Sequence, residues 1–275
     1  MADSGAWRPP PSVTSALSDQ HTPPMSTSAF YDTLSSYYHL IFPDWQASVE
    51  RQGRALDAII RSEGGPHLHT VLDSSCGIGT QSLGLAALGY EVTASDLSPG
   101  AVQRARSEAQ QRGLSMQASV ADMRSLHDHH GRTFDVVLAC DNSVPHLLSN
   151  EDILTAFQQF YACANPGGIC LVSVRDYAAM DFSSQTQVHP YGVRDAAGVR
   201  YVLLQVWDLK PPLYDTTFYI IEHRERSEVV VHATRATYYA VSIPILIQLM
   251  EQAKFQAVRR IDGEFFQPVI VGHKQ

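Results

Sequence analysis

From His69 to Val174 short apolar runs alternate with amphipathic stretches, and that alternation leaves few folds open. "HTVLDSS" is an apolar run, "TQSLGLAALGY" a helix closed by Gly89, and "EVTASD" a second strand. "SPGAVQRARSEAQQRG" predicts a helix with Ser98 as N-cap and Pro99 at its first position. "SMQASVAD" and "TFDVVLAC" follow as third and fourth strands. "SNEDILTAFQQFYACA" predicts a helix capped by Ser149 or Asn150, and "PGG" turns the chain into a fifth strand, "ICLVSV". Apolar strands separated by helices build a parallel sheet covered on both faces.

Beyond that strand the alternation stops. "RYVLLQVWDL", "LYDTTFYIIEH" and "EVVVHATRATYYAV" are strand-like runs with no helix between them, and they predict an antiparallel insertion over 195–240 that acts as a lid. "SIPILIQLMEQAKF" returns to helix and "AVRRIDGEFFQPVIVGHK" predicts a closing hairpin. The expected fold class is therefore α/β, a doubly wound, seven-stranded, mostly parallel Rossmann-like sheet with an antiparallel lid. Residues 1–27, rich in Pro, Ser and Thr, predict a disordered leader before one domain over 28–275. Its first part, 28–63, reads as an aromatic segment and an amphipathic helix on Val49, Leu56, Ile59 and Ile60 that ends near "EGG", together a helical cap.

Composition narrows the function classes. A net charge of −8 with no run of lysines or arginines argues against a nucleic-acid grip. No apolar run approaches the roughly 20 residues of a membrane span, and the first residues lack the pattern of a secretory signal. Cys76, Cys140, Cys163 and Cys170 show no paired spacing and predict buried, reduced thiols in a cytoplasmic protein. "HDHHG", 127–131, reads as a solvent-facing loop, so no metal is expected. The expected partner is a small molecule, and a homo-oligomer stays open.

In open α/β sheets ligands bind beyond the carboxyl ends of the strands. The turn "VLDSSCGIGT", 71–80, lies there, with Gly77 and Gly79 allowing close backbone approach. Asp96 ends the next strand about twenty residues on, placed to accept ribose hydroxyls. A nicotinamide dinucleotide remains an alternative at this point, although Ser82 stands where its third glycine would be.

Taken together, these residues resemble class I S-adenosylmethionine-dependent methyltransferases over residues 30–275. "VLDSSCGIGT" resembles the family's first motif, with Ser75 in place of a usual glycine. "TASDLS" resembles the acidic motif that follows, "VADMRSL" the motif flanking adenine, and "FDVVLACDNSVPHLL" the fourth strand and its active-site loop. "NSVPHL" and "LVSVRDY" are similar to segments of glycine N-methyltransferase-like small-molecule enzymes, with Val174 and Asp176 replacing a histidine and an asparagine. The resemblance implies S-adenosylmethionine as cofactor, along Asp73, Ser75, Gly77 and Gly79, its ribose on Asp96 and Leu97, its adenine by Asp122 and Met123. It also implies Arg51 on the methionine carboxylate, Asn142 beside the cofactor, and Arg175 on a substrate carboxylate with Tyr31 and Tyr177 nearby.

Methyl transfer needs alignment and exclusion of water, and an amine acceptor must lose a proton. His146, Asp141 and Tyr38 are the expected catalytic groups. The expected activity is N-methylation of an amine or amino acid. Methylation at oxygen or carbon, aminopropyl transfer or cyclisation, and non-catalytic binding of S-adenosylmethionine are the alternatives.

Overall fold

Caps and turns chosen by short-range chemistry set the element boundaries in the computed structural model, which describes residues 26–224 and 229–275. Two helices come first. Helix α1 (Thr27–Leu34) begins where the Ser26 hydroxyl accepts from the Ala29 N–H, and α2 (Trp45–Gly64) where the Asp44 carboxylate accepts from Ala47. Then β1 (Thr70–Asp73), α3 (Thr80–Ala87), β2 (Glu91–Asp96), α4 (Pro99–Gln111) and β3 (Met116–Val120) alternate, followed by α5 (Leu126–His130), β4 (Phe134–Ala139), α6 (Asn150–Cys163) and β5 (Ala164–Ser173). Ser98 and Ser149 are the caps of α4 and α6. Four antiparallel strands follow: β6 (Thr186–Ala196), β7 (Val199–Lys210), β8 (Leu213–Arg224) and β9 (Val230–Tyr239). Helix α7 (Ile243–Gln252) and the hairpin β10 (Gln256–Ile261) and β11 (Val269–His273) complete the fold.

The main sheet has seven strands in the order β10-β11-β5-β4-β1-β2-β3, with only β10 and β11 antiparallel to their neighbours. The chain winds outward through β1, β2 and β3, then returns to place β4 on the other side of β1. That reversal opens a crevice past the carboxyl ends of β1 and β4. Side chains alternate across each central strand: Val136 and Leu138 pack under α2 and α3 with Leu56, Ile60 and Leu85, whereas Val137 and Ala139 face α6 and α7 with Phe157, Phe160 and Leu246. Both faces are buried, which is why these strands read as continuous apolar runs. All four cysteines are buried and unpaired in disulfides. No helix among the described residues is long and apolar enough to cross a membrane.

Three features differ from the sequence reading. The expected leader lies outside the described residues as far as 25, but Ser26 and Thr27 already cap and open α1. The 127–131 tract is helical rather than a loop, closing on Gly131 in the left-handed region. The second sheet has four strands, not three, because β6 pairs along β7 from Thr186. "TQVHPYGVRDA" gave no strand signal, since an edge strand tolerates Pro190 and the irregular register between Pro190 and Gly192.

Helices α2 and α3 cross where two glycines meet. A Cβ on Gly84 would lie 2.5 Å from the Val49 carbonyl oxygen, and one on Gly53 2.6 Å from the Gly84 carbonyl carbon. Both obstacles are backbone, so no rotamer change relieves them. Gly84→Ala is expected to cost about 3 kcal/mol of stability, read as a lower denaturation midpoint in urea; an unchanged midpoint would show that the helices separate freely.

Candidate active site

The turn after β1 is fastened by carboxylates at both ends. Asp73 Oδ1 accepts from the Ser75 N–H at 3.2 Å, and its Oδ2 from the Ser82 hydroxyl at 2.6 Å, tying the turn to α3. Across the crevice Asp96 Oδ2 accepts from the Gly77 N–H at 2.8 Å and its Oδ1 from Ser98 N–H at 2.9 Å. Gly77, at φ +52°, has open space where a Cβ would stand, so its backbone borders the crevice directly. Gly79, at φ +96°, instead packs against Leu83 and Ala105 as α3 begins.

A cavity of about 310 Å³ occupies this crevice, bordered by Ser75, Gly77, Asp96, Leu97, Asp122 and Met123. Its charged lining is Asp96, Asp122, Asp141 and Asp152 against Arg124 alone. Arg124 is spent on Asp122 at 2.7 Å and Asp152 at 3.2 Å, which leaves Asp96 and Asp141 without a cationic partner. Such a field attracts a cation and repels a pyrophosphate. Burial raises the Asp96 carboxyl, and the Ser98 and Gly77 amides pull it partly back.

The N-terminal segment lies over this cavity as a strap. Asp32 Oδ1 accepts from the Ser98 hydroxyl at 2.5 Å and the Gly100 N–H at 2.8 Å, docking α1 on the start of α4. The strap then offers two phenols: the Tyr31 hydroxyl lies 2.8 Å from His146 Nε2, and the Tyr38 hydroxyl donates to Asp141 Oδ2 at 3.2 Å. Asp141 and Asn142 both adopt left-handed φ, +57° and +63°, which turns the chain sharply after β4. Asp141 N–H donates to the Ser173 hydroxyl at 2.8 Å.

A second cavity, of about 390 Å³, lies between the strap, the main sheet and the antiparallel sheet. Tyr31, Tyr38 and Asp141 border both cavities, so the two spaces meet at these residues. Arg175 reaches the second cavity from just beyond β5. It donates to the Tyr214 hydroxyl at 3.3 Å, and its guanidinium carbon stands 5.0 Å from the Trp207 ring centre. Burial works against its charge, and the hydroxyls of Tyr214, Tyr191, Tyr238 and Tyr177 outweigh it, so the cation persists. Among the described residues no carboxylate forms an ion pair with it.

Of the residues expected from sequence, Ser75, Gly77, Asp96, Leu97, Asp122, Met123, Tyr31, Tyr38, Asp141 and His146 come together around the first cavity. Arg51 does not. The buried face of α2 runs through Val49, Gln52, Gly53 and Leu56, which leaves Arg51 on the exposed side, donating to Ser48 Oγ at 3.0 Å. Asp73 and Gly79 shape the turn without bordering the cavity. Asn142 lines the second cavity rather than the first. Tyr177 stands behind it, buried, with its hydroxyl on Asn142 and 3.0 Å from that of Tyr214. Missed were Gln205, Phe218 and Tyr238 of the antiparallel sheet and Gln267 before β11. Their alternation was visible, but which face of that sheet meets the site was not.

A methyltransferase domain model matches residues 71–168. The glycine/sarcosine N-methyltransferase of Parasynechococcus marenigrum is 33% identical over 135 residues, which are 49% of this chain and 46% of the relative. Residues 71–168 carry this likeness to a methyltransferase domain. The chain spans about half the length of the curated relatives it matches. The methyltransferase fold extends beyond the matched segment: the structure of Streptomyces venezuelae DesVI superposes with a TM-score of 0.75 at 17% identity, covering 89% of this chain and 98% of that one. CalS10, an amino pentose methyltransferase from Micromonospora echinaspora solved with S-adenosylmethionine bound, gives a TM-score of 0.71 at 16% identity over 83% of this chain and 92% of that one.

Burial pushes the Asp73 carboxyl up to about 7, against the bonds from Ser82 and Ser75. A folded-state value above the unfolded one means that the stability held by this group is full below about pH 4 and lost as pH rises to about 7. Asp73→Asn keeps an acceptor for Ser75 without the charge. Relative to wild type, its unfolding free energy is expected to gain up to about 4 kcal/mol between about pH 4 and about pH 8. Parallel pH dependences in urea titrations would contradict the burial argument.

Proposed function

We propose that this chain methylates the nitrogen of a small amine that also carries a carboxylate, using S-adenosylmethionine. The observation that carries the reading is the meeting of two cavities at Tyr31, Tyr38 and Asp141, with the unpaired Arg175 cation in the second. The first cavity fits the cofactor by its donor set: open backbone at Gly77, acceptor capacity on Asp96, and a negative field suited to a cation. Asp96 and Leu97 would hold the ribose, Asp122 and Met123 the adenine edge, and Ser75 and Gly77 the amino-acid arm. When bound, S-adenosylmethionine supplies an activated methyl group on a sulfonium.

The protein's own part is placement, dryness and a proton acceptor. Arg175 receives the acceptor carboxylate, and Asp141 receives the ammonium at the seam. We assign the proton to Asp141 rather than His146. Removal from water, helped by Arg175, pushes the His146 imidazolium down to about 3, against a weaker pull from the Thr237 backbone, so the ring is neutral and orients the Tyr31 hydroxyl. Removal from water raises Asp141, with Arg175 and the Tyr38 hydroxyl pulling the other way. A carboxylate lifted in this way is the better base. The four buried free thiols support a cytoplasmic setting.

Calorimetric titration tests the cofactor assignment. S-adenosylhomocysteine should bind where NAD does not, and Asp96→Ala should weaken that binding by about 10- to 100-fold; NAD binding instead would refute the assignment. The base assignment has its own test. Because Asp141 works ionised, kcat/KM should climb as pH rises through a value above the ordinary carboxylate pKa of about 3.9. Asp141→Asn should abolish that limb and lower kcat by about 100-fold or more, and a limb that survives in the variant assigns the proton elsewhere.

A further inference from the structure

Glycine would occupy little of the second cavity. Its volume of about 390 Å³ is the room of roughly a dozen waters at ~30 Å³ each. Apolar side chains share its lining with the amides of Asn142, Gln205 and Gln267 and four tyrosines: Phe30 and Leu34 from α1, Phe42 from the strap, Phe218 from β8. This wall is preformed. Phe30 and Leu34 are each 1% exposed and belong to one packed cluster with Trp207, Tyr214 and Phe218. It also joins the polar end, since Phe218 lies 5.4 Å from Tyr191 and Phe42 6.4 Å from Tyr38, ring centre to ring centre. Water against such a wall finds few partners, whereas an apolar group of the acceptor would displace it favourably.

Resting on the reading above, we infer that the acceptor is an α-amino acid with a large apolar side chain. Its carboxylate pairs with Arg175, its amino group meets Asp141 at the seam, and its side chain fills the space beside Phe30, Leu34, Phe42 and Phe218. The glycine/sarcosine specificity in the names of the curated relatives would then not extend to this chain.

Initial rates with the full chain and S-adenosylmethionine decide this, using L-phenylalanine, glycine and phenethylamine as acceptors. L-phenylalanine should exceed glycine in kcat/KM by about 100-fold and should also exceed phenethylamine, which has the ring and amine without the carboxylate. Hydrocinnamate, ring and carboxylate without the amine, should inhibit competitively. Phe42→Ala should narrow the preference over glycine about tenfold while leaving S-adenosylhomocysteine binding unchanged. Glycine turned over as well as L-phenylalanine overturns this inference and leaves the Arg175 assignment standing. Phenethylamine as good as L-phenylalanine overturns the carboxylate assignment and the amino-acid class together. Turnover of none of the three by a protein that binds S-adenosylhomocysteine overturns the inference and the acceptor reading, but not the cofactor.

Discussion

One carboxylate joins the parts that must move together. Asp96 accepts from Gly77 on one side of the crevice and from Ser98 on the other, and the Ser98 hydroxyl donates to Asp32 of the strap. Without this chain the glycine turn, the start of α4 and α1 would be three independent pieces bordering one cavity. With it, the segment carrying Tyr31 and Tyr38 is indexed to the strand ends. Concentrating two carboxylates here is electrostatically costly: burial and the nearby Asp32 charge both raise Asp96. A bound cation would relieve that cost, so the strain in the free protein and the selectivity of the site share one origin.

The charge arrangement also separates the two spaces by chemistry. In the first cavity the one lining guanidinium is shared by Asp122 and Asp152, so the four carboxylates outweigh it and the net field is negative. In the second, Arg175 is screened by phenols rather than paired with an acid. Asp141 stands at the junction and feels both, raised by removal from water and lowered by Arg175. A zwitterion satisfies this pattern with one molecule, because its two charges match two opposite groups on one wall.

Legibility in the sequence followed how local each cause was. The parallel sheet was readable because burial on both faces leaves continuous apolar runs, and the cap Ser98, with Ser149 as one of two candidates, because capping acts over a few residues. Much of the first cavity was readable for the same reason: turns at strand ends must face the crevice. Arg51 was expected from its distance to the glycine turn, which says nothing of helical phase, and the buried stripe through Val49, Gln52 and Leu56 leaves it on the exposed side of α2. Asp73 and Gly79 belong to the motif yet act on the turn itself, holding Ser82 and packing on Leu83. Strand β6 was hidden by the proline and glycine that an edge permits. The wall of the second cavity was least legible, since Gln205, Phe218 and Tyr238 come from three strands whose inward face depends on how the whole sheet docks.

That docking explains why a second sheet is present at all. The seven-stranded sheet ends in an open crevice, and a strap of one short helix cannot close it alone. The antiparallel sheet supplies the missing wall: Trp207, Tyr214, Phe218 and Tyr238 pack against Phe30 and Leu34 in one buried cluster. Tyr214 and Tyr238 stack nearly parallel, 9° apart with centres at 5.2 Å, and the Tyr238 ring lies 4.0 Å from that of His146. The same aromatic layer therefore fixes the strap, steadies the neutral imidazole beside Tyr31, and surrounds Arg175 with phenols. Because one layer performs all three tasks, a change at Phe218 would reach the strap packed on it, and through Asp32 and Ser98 the strand-end carboxylate Asp96.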